Sequence, residues 1–136
     1  MTARIAKALA YAETRKSWGG CTIHQVTGEW VAQGIDAYAV SIARTDAETI
    51  SVPADASYAE FSEAFDKALA QFGHATYLGI FHDDEKGTVD FDPTEVVPTR
   101  ADVDALAESY PVTGGAYHFQ TGDGYWPNGN PSDWDV

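Results

Sequence analysis

The sequence predicts one α+β domain: a mostly antiparallel sheet of about five to six short strands, with three helices packed mainly on one face. Three stretches repeat apolar residues at helical spacing, while the other apolar runs are short and bounded by turn residues. Most connections between strand candidates have hairpin length, which favours antiparallel pairing. The chain of 136 residues has a common single-domain size. We assign residues 1–120 to this domain and residues 121–136 to a Gly-, Pro-, Asn- and Asp-rich aromatic tail.

The first and third predicted helices are recognised by apolar residues that recur every three or four positions. In the first, which ends by the Gly19-Gly20 pair, they are Ile5, Ala8, Leu9 and Ala12. The third begins near Thr99 and ends at Pro111. Its apolar face carries Val103, Leu106, Ala107 and Tyr110.

The second predicted helix has the strongest local signal. Ser57 and Glu60 have the spacing of a capping box, in which each side chain accepts a hydrogen bond from the other residue's backbone amide. We expect Gly73 to end the helix in the left-handed conformation. The apolar stripe predicts core packing against the sheet and consists of Tyr58, Phe61, Phe65, Leu69 and Phe72.

Short apolar runs between turn residues predict the strands. They cover residues 21–26, 30–31, 37–43, 49–52, 77–82, 88–91 and 116–120. Between the fifth and sixth runs lies the polar sequence Asp-Asp-Glu-Lys-Gly at residues 83–87. This segment predicts a hairpin turn in which Gly87 takes a positive φ.

The acidic residues are concentrated in the C-terminal part of the chain. The formal net charge is -13, and the segment from Asp83 to Val136 holds twelve acidic residues against two basic ones. Because most of these acids fall in segments predicted to fold, we expect a fixed acidic face. Such a face repels phosphate and anionic lipid, so we expect no direct nucleic-acid binding, no membrane binding and a basic protein surface as partner.

Composition excludes several other classes of protein. Cys21 is the only cysteine, so neither an intrachain disulfide nor a Cys-rich metal motif can form. The N-terminal residues lack the apolar run of a signal peptide, and no stretch approaches the roughly 20 apolar residues of a membrane span. We therefore expect a cytoplasmic protein. No phosphate-binding glycine loop or nucleophile elbow occurs, and we expect no cofactor.

A further pattern runs through most of the chain, from Ala3 to Phe119. It includes a Leu78-Gly79 strand, an acidic hairpin turn, an apolar-Asp-apolar strand around Asp90, the pair Val96-Val97 and a following helix start. In these features the chain resembles small acidic hypothetical proteins of actinobacteria and their bacteriophages. The resemblance implies a phage or mobile-element setting, and it implies no activity and no catalytic residue.

Two residue groups are candidates for chemistry. His82 and Asp84 lie beside Asp83, Asp90 and Asp92 in one predicted hairpin, and imidazole with carboxylate suits zinc or iron. With His118 from a later strand they give the alternative of a small metal-assisted enzyme, against the simpler interpretation of a solvated acidic turn. Cys21 and His24 are three residues apart on a predicted strand, where they point to opposite faces and do not pair.

The C-terminal tail combines aromatic residues with turn formers and acids, as binding segments do. Its alternative is that the aromatic residues fold back on the domain while the last residues fray. The predicted partner-binding set joins this tail to the acidic residues and comprises Asp83, Asp84, Glu85, Asp90, Asp92, Asp102, Tyr125, Trp126 and Trp134.

The leading functional hypothesis is a non-enzymatic acidic protein that engages a basic partner surface. We expect this partner to be a host factor that the protein inhibits, or a nucleic-acid-binding protein. In the second case the carboxylates imitate the phosphates that such a protein normally contacts. Two alternatives stay open beside it. One is the metal-assisted enzyme, and the other is a phage accessory module that forms a homo-oligomer through its sheet edge or aromatic tail.

Overall fold

A computed structural model describes residues 3–43, 49–110 and 116–125. The described residues form three helices and seven strands, and this single α+β fold confirms the fold class predicted from the sequence. None of these helices has the length and apolar character needed to cross a membrane. The elements are α1 Ala3–Thr14, β1 Gly20–His24, β2 Tyr38–Ser41, β3 Ile50–Pro53, α2 Tyr58–Gln71, β4 Tyr77–Asp83, β5 Thr88–Val97, α3 Arg100–Ser109, β6 Ala116–His118 and β7 Gly124–Tyr125.

The strands pair antiparallel in the order β1-β4-β5-β2-β6-β7. The long strand β5 organises the sheet, because it pairs with β4 along one edge and with two strands along the other. On that second edge β3 pairs with its N-terminal half and β2 with its C-terminal half. The sheet therefore brings together strands that are distant in sequence.

The antiparallel register sorts the strand residues onto two faces. Cys21 lies opposite Ile80, which lies opposite Phe91, so these three side chains share one face. All three helices pack on this side, which we call the covered face. None of the described helices packs on the other side, which we call the uncovered face. Thr22, Gly79 and Asp92 form a row on that face, next to the row of Cys21, Ile80 and Phe91.

The core lies between the covered face and the helices. Its larger part packs α1 and α2 onto β1, β4 and β5, with Phe61 and Phe65 of α2 against Phe91 of β5. A smaller part holds α3 on β2 and β6 through Val40, Val103 and Ala116. These contacts confirm the prediction that the helices lie on one face.

The predicted apolar stripe of α2 is buried at Phe61, Phe65 and Phe72, whereas Tyr58 is exposed. The prediction for the end of the helix was wrong, since Gly73 is not in the left-handed conformation. Instead Phe72 caps the helix with φ -102° and ψ 25°, and its N–H donates to the carbonyl of Ala68.

Helix α1 forms where the sequence predicts it but presents a different face to the sheet. Ala6 and Ala10 are fully buried, while Ile5 and Leu9 are 51% and 45% exposed. Alanine carries no side chain beyond Cβ, so it allows the helix backbone to approach β1 and β4 closely. Helical spacing alone therefore identified the helix and assigned the wrong side of it to the core.

The strand predictions differ from the structure at three places. The predicted run 88–91 is only the first part of β5, which continues through Pro93 to Val97. The run 30–31 makes only an isolated bridge between Ile23 and Trp30. The structure also contains a strand that was not predicted. This strand, β7, pairs with β6, so the sheet extends beyond the predicted domain boundary at residue 120. The predicted hairpin turn before β5 is present, and Gly87 has φ +68° as expected.

The capping box of α2 gives a direct test of local stability. Ser57 Oγ accepts from the Glu60 amide at 3.2 Å, and Glu60 Oε1 accepts from the Ser57 amide at 3.2 Å. We expect Ser57→Ala to lower the free energy of unfolding by about 1 kcal/mol in urea titrations, because an amide of the first turn loses its acceptor. Ser57→Asp keeps an acceptor and serves as the control. Equal losses in the two variants would contradict this role.

Candidate functional site

The uncovered face of the sheet forms the floor of a groove of about 610 Å³. The floor is built from small and hydroxyl-bearing residues that alternate with core residues along the strands. They come from four different strands and are Thr22, Ala39, Ser41, Gly79 and Thr94. The volume falls within the range of small-molecule sites in proteins, which is about 300–1,000 Å³.

Gly79 keeps the centre of this floor open. A Cβ atom added at Gly79 would lie 2.6 Å from Oγ1 of Thr94 on the neighbouring strand. Any larger residue at this position would therefore push into the groove or displace Thr94. The sequence showed Gly79 as part of a strand pattern and gave no sign of this role.

Aromatic residues stand at both ends of the groove. At one end the rings of Trp18 and Phe81 have centroids 5.8 Å apart, and these residues are 51% and 40% exposed. At the other end Tyr117 and Phe119 meet edge to face at 5.5 Å. Such rings provide large apolar contact area with few torsions to immobilise on binding.

Trp18 is held at the groove in a strained backbone conformation. Its φ is +55°, and it is the one non-glycine residue with positive φ among the described residues. Oδ1 of Asp84 accepts a hydrogen bond from the Trp18 amide at 3.2 Å, and its other oxygen accepts one from the Ser17 hydroxyl. Strain of this kind persists where the surroundings enforce it, and it is often found at functional positions.

Asp84 therefore acts as the anchor of the turn between α1 and β1. The hydrogen bond from Ser17 lowers the pKa of its carboxyl group below the ordinary value, and the Trp18 amide and His82 act in the same direction. Nε2 of His82 lies 3.1 Å from Oδ1 of Asp84. These contacts give Asp84 a structural role, and its predicted role in partner binding stays a prediction.

Asp92 lies in the groove beside Gly79 and Thr94. Burial raises the pKa of its carboxyl group to about 6, and the nearby Asp90 acts in the same direction. The hydroxyl of Thr49 opposes this rise by donating a hydrogen bond of 2.8 Å to Oδ1, and the charge of Lys86 also opposes it. The carboxyl group is thus ionised at neutral pH in a site that desolvates it.

The charge of the groove has one sign. Its lining residues, as far as the structure describes them, include Asp92 and Glu13 and no Lys, Arg or His, although the Glu13 carboxylate is paired with Lys16 at 3.0 Å. A carboxylate in a partly desolvated cleft attracts cations more strongly than one in open solvent. The groove therefore favours positively charged or neutral molecules over anions.

The predicted partner-binding acids divide between two regions. Asp83, Asp90 and Asp92 share the uncovered face, and Glu85 lies exposed in the adjoining turn. Asp102 is elsewhere: it follows the opposite end of β5, about 30 Å away along the strand, where its amide and carboxylate bond to the Thr99 hydroxyl that caps α3. The acids thus do not form one continuous face.

The structure places only part of the predicted aromatic tail. Tyr125 belongs to β7, which pairs with β6 through Ala116. The other two predicted contacts, Trp126 and Trp134, lie outside the described residues.

The metal-site alternative is not supported by the geometry of its three residues. His82 lies opposite Val89 on β5, whereas His118 lies opposite Tyr38, which lies opposite Val97. Eight positions of β5 separate these two rows, which corresponds to about 26 Å. His118 instead stacks on Tyr38 and pairs with Asp36 at 2.9 Å. No group of three metal-ligating side chains occurs within the described part of the chain.

Cys21 is buried on the covered face, and His24 three residues later belongs to the opposite face of β1. Burial raises the pKa of the Cys21 thiol far above its ordinary value. The thiol is therefore neutral and packs as a small apolar side chain. Its side chain points away from that of His24, as predicted from the strand spacing.

Searches against protein-family models, curated proteins and solved structures found no match to this chain. The resemblance to small acidic proteins of actinobacteria and their phages stays a prediction. Function is therefore inferred from the uncovered face alone.

Proposed function

We propose that this protein is a non-enzymatic interaction protein that binds a basic protein surface through one end of its uncovered face. The observation that carries the proposal is the juxtaposition of carboxylates with exposed aromatic rings. Asp90 lies directly opposite Phe81 across the β4–β5 pair, and the Phe81 ring contacts Trp18. We call Asp83, Asp90, Phe81 and Trp18 the acidic-aromatic patch.

The patch has the chemical composition of an interface that binds basic residues. Trp and other aromatic residues are common among the side chains that dominate binding energy, and carboxylates attract lysine and arginine. The formal net charge of -13 adds a long-range field that speeds the approach of a basic partner. The surface of a nucleic-acid-binding protein is one surface of this kind.

The carboxylates of the patch are held in place before any partner binds. Asp90 Oδ1 accepts hydrogen bonds from the hydroxyls of Ser51 at 2.6 Å and Thr88 at 2.9 Å. Oδ1 of Asp83 accepts from the amides of Glu85 and Lys86 at 3.0 and 3.1 Å. Side chains ordered in this way lose less conformational entropy on binding, which favours affinity.

We expect the double variant Asp83→Asn/Asp90→Asn to lose its partner. Tagged protein is used to capture binding proteins from a lysate of the source organism at about 0.1 M salt and at about 0.5 M salt. Captured proteins are quantified by mass spectrometry. Specific partners should be depleted at least about tenfold in the variant, and high salt should weaken their capture by the native chain.

The matched control is Asp104→Asn/Glu108→Gln on the exposed side of α3, since it changes the net charge by the same amount. Asparagine keeps an acceptor oxygen at both positions of the patch, so the fold is conserved. Equal depletion by both double variants would show that only total charge matters. That result, or capture that does not change with salt, would contradict the proposal.

A further inference from the structure

The middle of the uncovered face carries a groove whose floor residues and Asp92 do not belong to the acidic-aromatic patch. The groove of about 610 Å³ is far larger than a single protein side chain requires. Its floor is made of small residues, and Gly79 in particular leaves space where a Cβ would meet Thr94. A cleft of this shape suits a separate small molecule.

The two aromatic pairs define where the apolar part of such a molecule lies. Trp18 with Phe81 forms one end and Tyr117 with Phe119 forms the other. Phe81 lies opposite Asp90, two residues from Asp92, so a ring or short alkyl chain held near Asp92 contacts the first pair. Aromatic faces also attract organic cations through their quadrupole.

Asp92 determines the charge of the ligand that the groove accepts. Among the described residues, the Asp92 carboxylate receives a hydrogen bond from one donor, the Thr49 hydroxyl on Oδ1. An ionised carboxylate accepts about four hydrogen bonds, so Asp92 retains the capacity to bind further N–H groups. Glu13 also lines the groove, but its carboxylate is paired with Lys16 at 3.0 Å, so Asp92 is the carboxylate of the described lining that is left for a cationic ligand.

We propose that the groove is a binding site for a small organic cation, with a protonated amine or amidinium group at Asp92 and an apolar body against the Trp18–Phe81 pair. The hydroxyls of Thr22, Ser41 and Thr94 line the same floor and supply polar contacts near the charged group. The site shares Trp18 and Phe81 with the acidic-aromatic patch, but its charged group and floor lie outside the patch, so Asp92 tests this proposal separately from Asp83 and Asp90.

The proposal is tested with three probes of one shape and different charge: 2-phenylethylamine, 2-phenylethanol and phenylacetate. Each is titrated into the full-length isotope-labelled chain at about pH 8, where Asp92 is ionised, and amide chemical shifts are followed by NMR. Probes of this size bind with a Kd of about 1 mM or weaker. We expect the amine to bind at least about tenfold more tightly than the alcohol, and phenylacetate not to bind. The shifting amides should include those of Gly79 and Thr94.

Two variants test the role of the Asp92 charge and the role of the open floor of the groove. Asp92→Asn should weaken the amine at least about tenfold and leave the alcohol unchanged, because it removes the charge and keeps the shape. Ala39→Leu should weaken both probes, because it fills the floor of the groove. Asp104→Asn on α3 is the charge-matched control and should bind like the native chain. Thermal unfolding of each variant establishes that it is folded.

Several results would overturn the proposal. Binding of phenylacetate as tight as that of the amine would show that charge does not select the ligand. An unchanged amine affinity in Asp92→Asn, no detectable amine binding, or shifts confined to α3 would each exclude this site. The patch variant Asp83→Asn/Asp90→Asn should bind the amine normally, so failure of the partner proposal and failure of this one are distinguishable.

Discussion

Phe91→Ala is expected to lower the free energy of unfolding by about 3–5 kcal/mol, a large part of the stability of a domain of this size. Phe91 is fully buried at the centre of β5, where its ring lies 5.3 Å from that of Phe61 and 6.4 Å from that of Phe65. It also lies opposite Ile80 on one neighbouring strand and Ile50 on the other. Removing the ring leaves a cavity that elements on three sides cannot easily fill.

The measurement is urea unfolding followed by circular dichroism, with Phe81→Ala as the matched control. Phe81 carries the same side chain on the uncovered face and is 40% exposed, so its loss should cost less than about 1.5 kcal/mol. Phe81→Ala should nevertheless reduce partner capture, because the ring belongs to the acidic-aromatic patch. Equal destabilisation by both variants would show that the two faces of the sheet are wrongly assigned.

Asp92→Asn is expected to stabilise the protein above about pH 6, by at most about 3 kcal/mol. Burial raises the pKa of the Asp92 carboxyl group from 3.8 to about 6 in the folded state, so folding favours its protonated form. Well below pH 3.8 the group is protonated in both states and carries no cost. Between pH 3.8 and about 6 the unfolded state ionises while the folded state keeps its proton, so the free energy of unfolding falls as pH rises and is constant above this range.

Urea unfolding of the native chain and the variant between about pH 4 and about pH 8 tests this expectation. The difference in the free energy of unfolding should grow with pH and become constant above about pH 6. Asp104→Asn on α3 is the control and should show no comparable trend, since Asp104 is exposed. A difference that does not change with pH would mean that Asp92 is solvated in the folded protein.

A stability gain in Asp92→Asn would also bear on function. A group that lowers stability at neutral pH and lines a groove is more readily explained by binding than by folding. The same variant separates the two roles, since it should be more stable than the native chain and bind organic cations less tightly.

Secondary structure followed closely from local signals in the sequence. Ser57 and Glu60 form the predicted capping box, Thr99 caps α3, and Gly87 adopts the predicted positive φ. Each of these features depends on hydrogen bonds or torsions within a few residues, so neighbouring residues are sufficient to specify it. The burial of Phe61 and Phe65 also followed, because large apolar side chains at helical spacing have few alternatives to the core.

The inward side of α1 did not follow from the sequence. Ile5 and Leu9 are the larger apolar residues, yet Ala6 and Ala10 face the sheet. Which face of a helix is buried depends on how closely its backbone approaches the layer below, and that distance is a property of the assembled core. The same limit applies to His118, whose separation from His82 depends on strand order.

The candidate site was the least predictable part of the protein. Its floor residues Thr22, Gly79 and Thr94 belong to β1, β4 and β5, and no spacing in the chain relates them. A small residue such as Gly79 within an otherwise apolar strand is a weak signal of an open surface. Only the register of the sheet places these residues side by side, and only the position of the three helices shows which face they leave uncovered.

Local sequence thus determined the helix caps, the turn before β5, the α+β class and the strongly acidic charge, since each depends on composition or on residues near one another. Tertiary structure decided which acids share a surface, which aromatic rings flank the groove and that Asp92 is desolvated. The physical reason is that strand pairing is non-local: β5 joins β4, β3 and β2, and the chemistry of the uncovered face exists only after that pairing.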